Sequence, residues 1–504
     1  MKYILTTVSL LLIQTCLLAQ IDSLRYRVLK PEQMTEDFTF LRKVLTETHP
    51  ALYRYTPKDV MQHKMDSIAG LLTKPMAFYD FYQALASLIA DIRCAHTHII
   101  PKKNLGAYFN KEIKMLPYEI IPVQGKLYIT INGTTDILIH PGFELVAIEG
   151  VPVKAVLQRM YRYLWSDGYI ETSKASLTLG SKFGLFYYMM IAQPDTFHVT
   201  VRDRQGKTYD VTAPAVGIET YRNVLFKNPV NQQLISLYKN KNQKDEKNGW
   251  RIEIMDQPNT ALLRINEFGG GKDGAGAAKK MRDFMDATLA KVKKANITDL
   301  IVDLRNNGGG WDVQGSELFT YFAKDTTPVR YYQRKHSIVD TSEYFRFSDL
   351  SPEDIANAKK ELIREKDGTF TLSEDYNLDL KLQYPKPNRF KGNVYFLING
   401  GTGSSASEFT AVAYSHRLGT FIGEESGGAY EGDNGGSFLH FELPNSGISI
   451  GSVLIYYNNG VKPRELKGRG VIPDYPVETT LDDLLEAKDP VMAFALELIK
   501  KDKR

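Results

Sequence analysis

Residues 300–310 read LIVDLRNNGGG, and residues 394–408 read VYFLINGGTGSSASE. In both stretches a short apolar run leads into a glycine-rich turn, which is the pattern of a buried strand that ends at the edge of a sheet. An amphipathic helix is predicted at 275–292 and another from about Ser405 to Arg417, with a further strand at 261–265. This alternation of strands and helices predicts an α/β domain with parallel strands over residues 250–480.

The rest of the chain predicts additional domains, so that the whole is a multidomain α/β protein. Apolar residues at three- and four-residue spacings predict a helical N-terminal domain, and turns at Gln124-Gly125 and Gln205-Gly206 separate strand-like runs. A long polar segment interrupts the α/β domain and should cap or flank it. The predicted ranges are 21–110 for the helical domain, 111–215 for a β domain with a helical insertion, 325–390 for the polar insertion and 481–504 for a C-terminal helix.

The first twenty residues have the pattern of a secretory signal peptide. Lys2 gives a positive start, and 3–18 are almost all apolar or small before the polar Asp22. A membrane anchor and a lipid anchor on Cys16 are the alternatives, but the apolar run is short for a membrane span. We therefore expect a secreted or periplasmic protein, without stable membrane insertion once residues 1–20 are removed.

Composition excludes several classes of function. A formal net charge of +4 over 504 residues, without a clustered basic stripe, argues against a nucleic-acid partner. Removing the leader leaves Cys94 as the single cysteine, which excludes an internal disulfide and a multi-cysteine metal site.

The three glycines at 308–310 let backbone N–H groups point freely into space. Such groups form an anion or oxyanion site without any side chain, although a plain tight turn is the alternative. A phosphate-binding P-loop is excluded because no Gly-Lys-Ser/Thr follows.

Ser405 lies where the second strand turns into a helix. There its hydroxyl is exposed to substrate, and the N–H groups of the helix start can stabilise a developing oxyanion. The alternative is a capping box, in which Ser405 caps the helix and Glu408 bonds back to it.

Together the two segments resemble the C-terminal processing (tail-specific) peptidase family, which shows a "DLRxNxGG" turn followed by a "GSxSASE"-like nucleophile segment. The resemblance extends to IGEESGG at 422–428, to GRGVIPD at 468–474, and to PGFELVAIEGVPV at 141–153, which is similar to part of a PDZ domain. It implies a ClpP/crotonase-like core, a PDZ-like domain over 111–215, and Ser405 as the nucleophile.

The general base must differ from that of the better-known branch of this family, which uses a lysine about 25 residues after the serine. No lysine stands between Lys391 and Lys462. The branch similar to the tricorn core uses an upstream histidine in a "DGHT"-like segment, which aligns with CAHTH at 94–98. That resemblance implies His96 as the base, with His98 as the near alternative. A third reading makes Cys94 the nucleophile, but no oxyanion-type segment accompanies it.

The resemblance implies backbone N–H groups of Gly309 and Ala406 as the oxyanion hole and an acid that orients the histidine. The candidates for that acid are Glu465, Glu424, Glu425 and Asp433. No metal or cofactor is needed for this chemistry, and the partner is a polypeptide substrate, with no oligomeric state predicted. A secreted protein that binds peptides or lipids without cutting them is the alternative from another class, and an esterase is a third possibility.

Overall fold

A computed structural model describes residues 23–245 and 249–502; the predicted signal peptide lies outside these ranges. None of the helices within the described ranges is long and apolar enough to cross a membrane. The α-helices are α1 (Pro31–Thr48), α2 (Lys58–Leu71), α3 (Phe78–Ile92), α4 (Leu105–Lys111), α5 (Val153–Tyr161), α6 (Glu171–Leu177), α7 (Lys182–Met190), α8 (Ile218–Leu225), α9 (Gln232–Asp245), α10 (Gly274–Lys294), α11 (Asp312–Thr320), α12 (Pro352–Glu361), α13 (Ser404–Ser415), α14 (Leu481–Leu485) and α15 (Pro490–Asp502). The strands are β1 (Val28–Leu29), β2 (Met76–Ala77), β3 (His98–Ile100), β4 (Tyr118–Val123), β5 (Lys126–Asn132), β6 (Glu144–Ile148), β7 (Val151–Pro152), β8 (Thr196–Arg202), β9 (Thr208–Pro214), β10 (Trp250–Ile254), β11 (Thr260–Ile265), β12 (Asp299–Asp303), β13 (Val329–Arg330), β14 (Tyr332–Ser337), β15 (Leu362–Arg364), β16 (Phe370–Leu372), β17 (Leu382–Gln383), β18 (Asn393–Ile398), β19 (Thr420–Gly423), β20 (Asn434–Glu442), β21 (Ser449–Asn459) and β22 (Tyr475–Pro476).

The predicted α/β domain contains a six-stranded sheet in the order β10-β11-β12-β18-β19-β22. All neighbours are parallel except β10 and β11. Every residue of β12 is buried, because helices cover both faces of a parallel sheet. On one face α15 packs Val491, Ala495 and Ile499 against the sheet. The predicted strands and helices of this domain are confirmed within one or two residues at each end.

The β-rich part of the chain forms an antiparallel sheet in the order β4-β5-β6-β8-β9, with β7 paired to β6. The predicted hairpins at Gln124-Gly125 and Gln205-Gly206 are confirmed, and α6 and α7 lie within 162–195, the part of this domain that was predicted as a partly helical insertion. The finer likeness to a PDZ domain stays a prediction.

A third sheet, β15-β16-β14-β21-β20, was not predicted. The polar segment 325–390 supplies β14, β15 and β16 to it, while β20 and β21 come from the α/β domain. The short strand β3, which directly follows the helical N-terminal residues, pairs antiparallel with β21. The helical domain and the α/β domain are therefore joined through one shared sheet.

Candidate active site

The two glycine-rich turns meet because β12 and β18 are parallel neighbours, so that both strands end at the same edge of the sheet. Gly309 and Gly310 have φ angles of +98° and +135°. A Cβ at Gly310 would stand 1.9 Å from the Phe268 carbonyl oxygen, and one at Gly309 would stand 2.6 Å from Cβ of Ser404. Only glycine fits this approach of the first turn to the serine-bearing helix.

Hydrogen bonds fix the two turns to each other. The Gly403 N–H donates to the Asn307 carbonyl at 2.9 Å, and the Thr402 hydroxyl donates to the Leu304 carbonyl at 2.9 Å. The Asn307 side chain in turn donates to the Ile265 carbonyl at 3.0 Å. The start of α13 is thus held by the ends of two neighbouring strands, β11 and β12.

Helix α13 begins one residue earlier than predicted, with Gly403 as its N-cap and no side-chain cap. The capping-box alternative for Ser405 and Glu408 is therefore wrong. The Glu408 carboxyl turns into the core instead, where it accepts a hydrogen bond from the Tyr332 hydroxyl. Ser404 has a φ of +48°, which is rare for a residue other than glycine and marks backbone strain of the kind that is found at functional sites.

His96 is held above this helix start by the chain on both sides of it. On the N-terminal side the Ala95 N–H donates to Oδ1 of Asp167 at 2.8 Å. On the other side the Thr97 hydroxyl bonds Nε2 of His49 at 2.9 Å, and β3 then pairs with β21. The strand pairing carries a histidine from the N-terminal part of the chain to the edge of the α/β sheet.

The histidine contacts the first serine of α13. His96 Nε2 lies 3.2 Å from Oγ of Ser404. Oγ of Ser405 is buried and makes no hydrogen bond among the described residues, and neither does Nδ1 of His96. The structure thus brings the predicted base to the predicted serine segment, but its direct contact is with Ser404 and not with Ser405.

His98, the alternative base, lies in a different environment. Its ring lies against the backbone of Gly451, where a Cβ would approach within 2.3 Å, and 5.6 Å from the ring of Trp165. Burial, followed by the nearby His440, lowers the pKa of His98. The structure shows no hydrogen bond from His98 to either serine of the described helix start.

Cys94 is poorly suited to be a nucleophile. It is buried, and its Sγ accepts a hydrogen bond from the Asn434 side chain at 3.4 Å. Burial first, and then the charge of Asp167, raise the pKa of the Cys94 thiol to about 12. The reactive thiolate is therefore scarce at neutral pH.

Asp167 is a buried carboxylate near His96 that the sequence did not indicate. Its side chain is 1% exposed, and its Oδ2 has no hydrogen-bond partner among the described residues. Burial, and next the negative charge of Asp433, raise the pKa of Asp167 to about 7, whereas His96, the Ala95 N–H and Arg54 act in the opposite direction. The Asp167 carboxyl group and the His96 ring therefore interact electrostatically.

Of the four predicted acids, only Asp433 interacts with Asp167, the carboxylate near His96. It is buried, and it interacts with both Asp167 and Glu408. Burial, and then the charge of Asp433, raise the pKa of Glu408 far above its ordinary value. Three carboxyl groups from different parts of the chain thus share one buried region behind the helix start.

The other three predicted acids lie elsewhere. Glu465 is exposed. Glu425 accepts hydrogen bonds from the Arg469 guanidinium at 2.8 and 2.6 Å and from the Gly470 N–H at 2.8 Å. Burial raises the pKa of Glu424, and it lies near Gly400 and Glu478 rather than His96.

The predicted oxyanion donors are engaged in the structure. The Gly309 N–H donates to the Asn307 side chain at 2.9 Å, and the Ala406 N–H donates to the Gly403 carbonyl at 3.1 Å. The Ser405 N–H, in the first turn of α13, makes no hydrogen bond among the described residues, as expected near a helix N-terminus. An oxyanion beside Gly309 would thus meet at least one backbone donor that has no partner.

A buried lysine, Lys335, binds two further aspartates in this region. Lys335 is 2% exposed and bonds Asp312 at 2.8 Å and Asp379 at 2.7 Å. Its ammonium group lies 4.3 Å from the ring centres of both Tyr332 and Tyr457. Lys335 and Asp379 both belong to the polar insertion 325–390, so this segment contributes charged residues to the surroundings of the site. No group of three or more His, Cys, Asp or Glu side chains arranged to hold a metal ion is found in 23–245 and 249–502.

Comparison with known families gives the class of this protein: it is a serine-type peptidase, and therefore a hydrolase. The match is to peptidase family S41 over residues 259–477, and the chain carries a domain of that family. This range contains both glycine-rich turns and the serine segment.

Solved structures of mature CPAF share the fold over almost the whole chain. The crystal structure of mature CPAF has a TM-score of 0.56 and 17% sequence identity, and the alignment covers 94% of this chain and 97% of that one. The structure of mature CPAF complexed with lactacystin has a TM-score of 0.55 and 16% identity, with 94% and 98% covered. A putative peptidase from Parabacteroides merdae has a TM-score of 0.44 and 14% identity, with 93% and 96% covered. None of the curated proteins is similar enough in sequence to count as a relative.

Proposed function

We propose that this protein is a secreted or periplasmic endopeptidase that cleaves polypeptides through an acyl-enzyme on Ser405, with His96 as the general base. The observation that carries the proposal is the approach of His96 to the serine segment of a peptidase S41 domain. The proposal also assigns the α/β domain to the ClpP/crotonase-like fold and the antiparallel β domain to the PDZ-like fold.

The reaction would proceed by ordinary acyl transfer. His96 Nε2 takes the proton of the serine hydroxyl as the oxygen attacks the peptide carbonyl, and backbone N–H groups beside Gly309 stabilise the oxyanion, at about 3 kcal/mol for each donor. His96 then protonates the leaving amine, and water hydrolyses the ester. Nδ1 must carry a proton while Nε2 acts as the base. Nδ1 has no hydrogen-bond partner among the described residues, and Asp167, whose charge acts on His96, is the carboxylate proposed to favour that tautomer.

Two adjacent hydroxyls compete for the role of nucleophile. The motif selects Ser405, which lies three residues before Glu408, whereas the observed contact of His96 is with Ser404. Catalytic hydrogen bonds are often long or misaligned without substrate, so a reorientation of His96 toward the neighbouring residue is compatible with the motif. The proposal keeps Ser405 as the nucleophile and makes Ser404 its matched control.

The test uses purified mature protein, an unstructured polypeptide as substrate and mass spectrometry of the fragments. We expect Ser405→Ala and His96→Ala each to lower kcat at least about a thousandfold. Ser404→Ala should retain the chemistry and covalent labelling by a fluorophosphonate. Loss of labelling in Ser404→Ala, with Ser405→Ala still labelled, would assign the nucleophile to Ser404 instead.

Two further results would overturn the larger proposal. A folded wild-type protein that neither cleaves polypeptides nor reacts with the fluorophosphonate would be a binding protein on a peptidase fold. Turnover of esters without turnover of amides would make it an esterase. Secretion is tested separately, by the N-terminal sequence of the protein recovered outside the cytoplasm, which should begin near residue 20.

A further inference from the structure

We infer that a cavity next to His96 binds one large apolar side chain of the substrate, together with a neighbouring lysine or arginine. This inference rests on the proposed function, because it names the substrate class of that same site. The cavity has a volume of about 450 Å³, within the range that small ligands occupy. It lies between α12 and the sheet formed by β14, β16, β20 and β21.

Phe438 connects the cavity to the catalytic residues. It lines the cavity, and its ring centre is 5.8 Å from that of His96. Strand β20 has an irregular register between Gly435 and Phe438, and Gly436 has a φ of +69°. A bulge changes the direction of the side chains that follow it. Here Phe438 follows the bulge, lies beside His96 and is 38% exposed.

One part of the cavity lining is apolar. Four buried apolar residues line the cavity: Phe345, Leu372, Leu454 and Ile455. Ile355 and Ala358 face it from α12. A large aliphatic or aromatic side chain would remove these surfaces and its own from water, which is the main source of favourable free energy in such a pocket.

The charged residues that line the cavity are all acidic. They are Asp340, Asp349, Asp354 and Glu361, and the described lining contains no lysine or arginine. Asp349 bonds His440 Nδ1 at 3.0 Å, and the Asp354 carboxylate accepts hydrogen bonds from the N–H and the hydroxyl of Ser351, the N-cap of α12. The whole chain is slightly basic, so this concentration of acids is local. It favours a cationic residue next to the apolar one.

The first experiment compares four unstructured peptides that differ only at two adjacent positions, Phe or Ala followed by Lys or Glu. We expect kcat/KM to be at least tenfold higher for Phe than for Ala. The Lys peptide should exceed the Glu peptide severalfold, and that ratio should fall as salt is added.

Variants on α12 locate this preference in the cavity. Ala358→Trp should fill the space and remove most of the preference for Phe, whereas Ala356→Trp, on the exposed side of the same helix, should leave it intact. Asp340→Asn combined with Glu361→Gln should remove the preference for Lys. Glu353→Gln, an exposed acid of the same helix outside the cavity, is the matched control for charge.

The outcomes separate this inference from the proposed function. Equal turnover of all four peptides, or equal effects of the two tryptophan variants, would refute the inference while leaving the peptidase in place. If the wild type cleaves no peptide and takes no fluorophosphonate label, the proposed function fails and the inference fails with it.

Discussion

Asp167→Asn should stabilise the folded protein at alkaline pH while slowing its reaction. Burial raises the pKa of Asp167 from its ordinary 3.8 to about 7, so between these values the folded state holds a proton that the unfolded chain releases. The folded state binds more protons in this window, and the free energy of unfolding therefore falls as the pH rises from about 4 to 7. An asparagine amide has no charge to bury and avoids this loss.

The magnitude follows from the two pKa values. At 1.36 kcal/mol for each pH unit, the free energy of unfolding of the wild type falls by about 3 kcal/mol between pH 5 and about pH 7, and it changes little from there to pH 8. Asparagine also keeps the acceptor for the Ala95 N–H, so the loop that bears His96 should stay in place. The urea m-value is about 1–3 kcal/mol per molar for small proteins and larger for a chain of 504 residues. The difference between the midpoints of variant and wild type should therefore be greater at pH 8 than at pH 5, by up to about 1 M.

The assay is urea unfolding of wild type and variant at both pH values, with kcat and KM measured alongside. Loss of the positioning carboxylate should lower kcat by about a hundredfold or more with little change in KM. Asp375→Asn removes an exposed carboxylate and should show neither effect. If the two variants show the same pH dependence of stability, Asp167 is not held protonated by burial, and the reasoning fails.

Two other substitutions test the supports of the site. Lys335→Met should lower the free energy of unfolding by about 3–5 kcal/mol, because it leaves the buried Asp379 and the partly buried Asp312 without their cation; exposed Lys381→Met should cost little in the same urea titration. Gly451→Ala should displace β3, since its Cβ would meet the His98 ring at 2.3 Å, and should reduce the rate of fluorophosphonate labelling. Gly217→Ala has open space around it and serves as the control; equal labelling in both variants would contradict the role given to β3.

The parts that the sequence predicted well are those determined by local composition. Strands β12 and β18 are apolar runs followed by glycines, and such runs specify a buried parallel strand without reference to the rest of the chain. Two adjacent parallel strands bring their ends together, so the meeting of the glycine turn with the serine segment follows from the fold. The resemblance to the tricorn-like branch of the tail-specific peptidase family then implied His96 as the base.

The missed parts depend on contacts between distant residues. Strand β3 is three residues long, and its partner β21 lies about 350 positions away along the chain. No local sequence pattern therefore predicts this pairing. Asp167 stands in an aromatic-rich stretch without a motif; the one signal was an acidic residue among apolar neighbours. The choice between Ser404 and Ser405 as the contact of His96 depends on a helix that begins one residue early and on a strained φ, which sequence spacing does not specify.

Under the proposed mechanism, in which His96 is the base, the pairing of β3 with β21 also sets when the enzyme can first act. The histidine and the serine that it contacts are 308 positions apart, yet the strand that holds the histidine in place ends only at residue 459. During synthesis the first 400 residues can emerge and begin to fold while the site still lacks its anchored base. A ribosome must deliver nine-tenths of the chain before any hydrolysis is possible, and a chain that terminates early, before β21, carries a peptidase fold without a working peptidase.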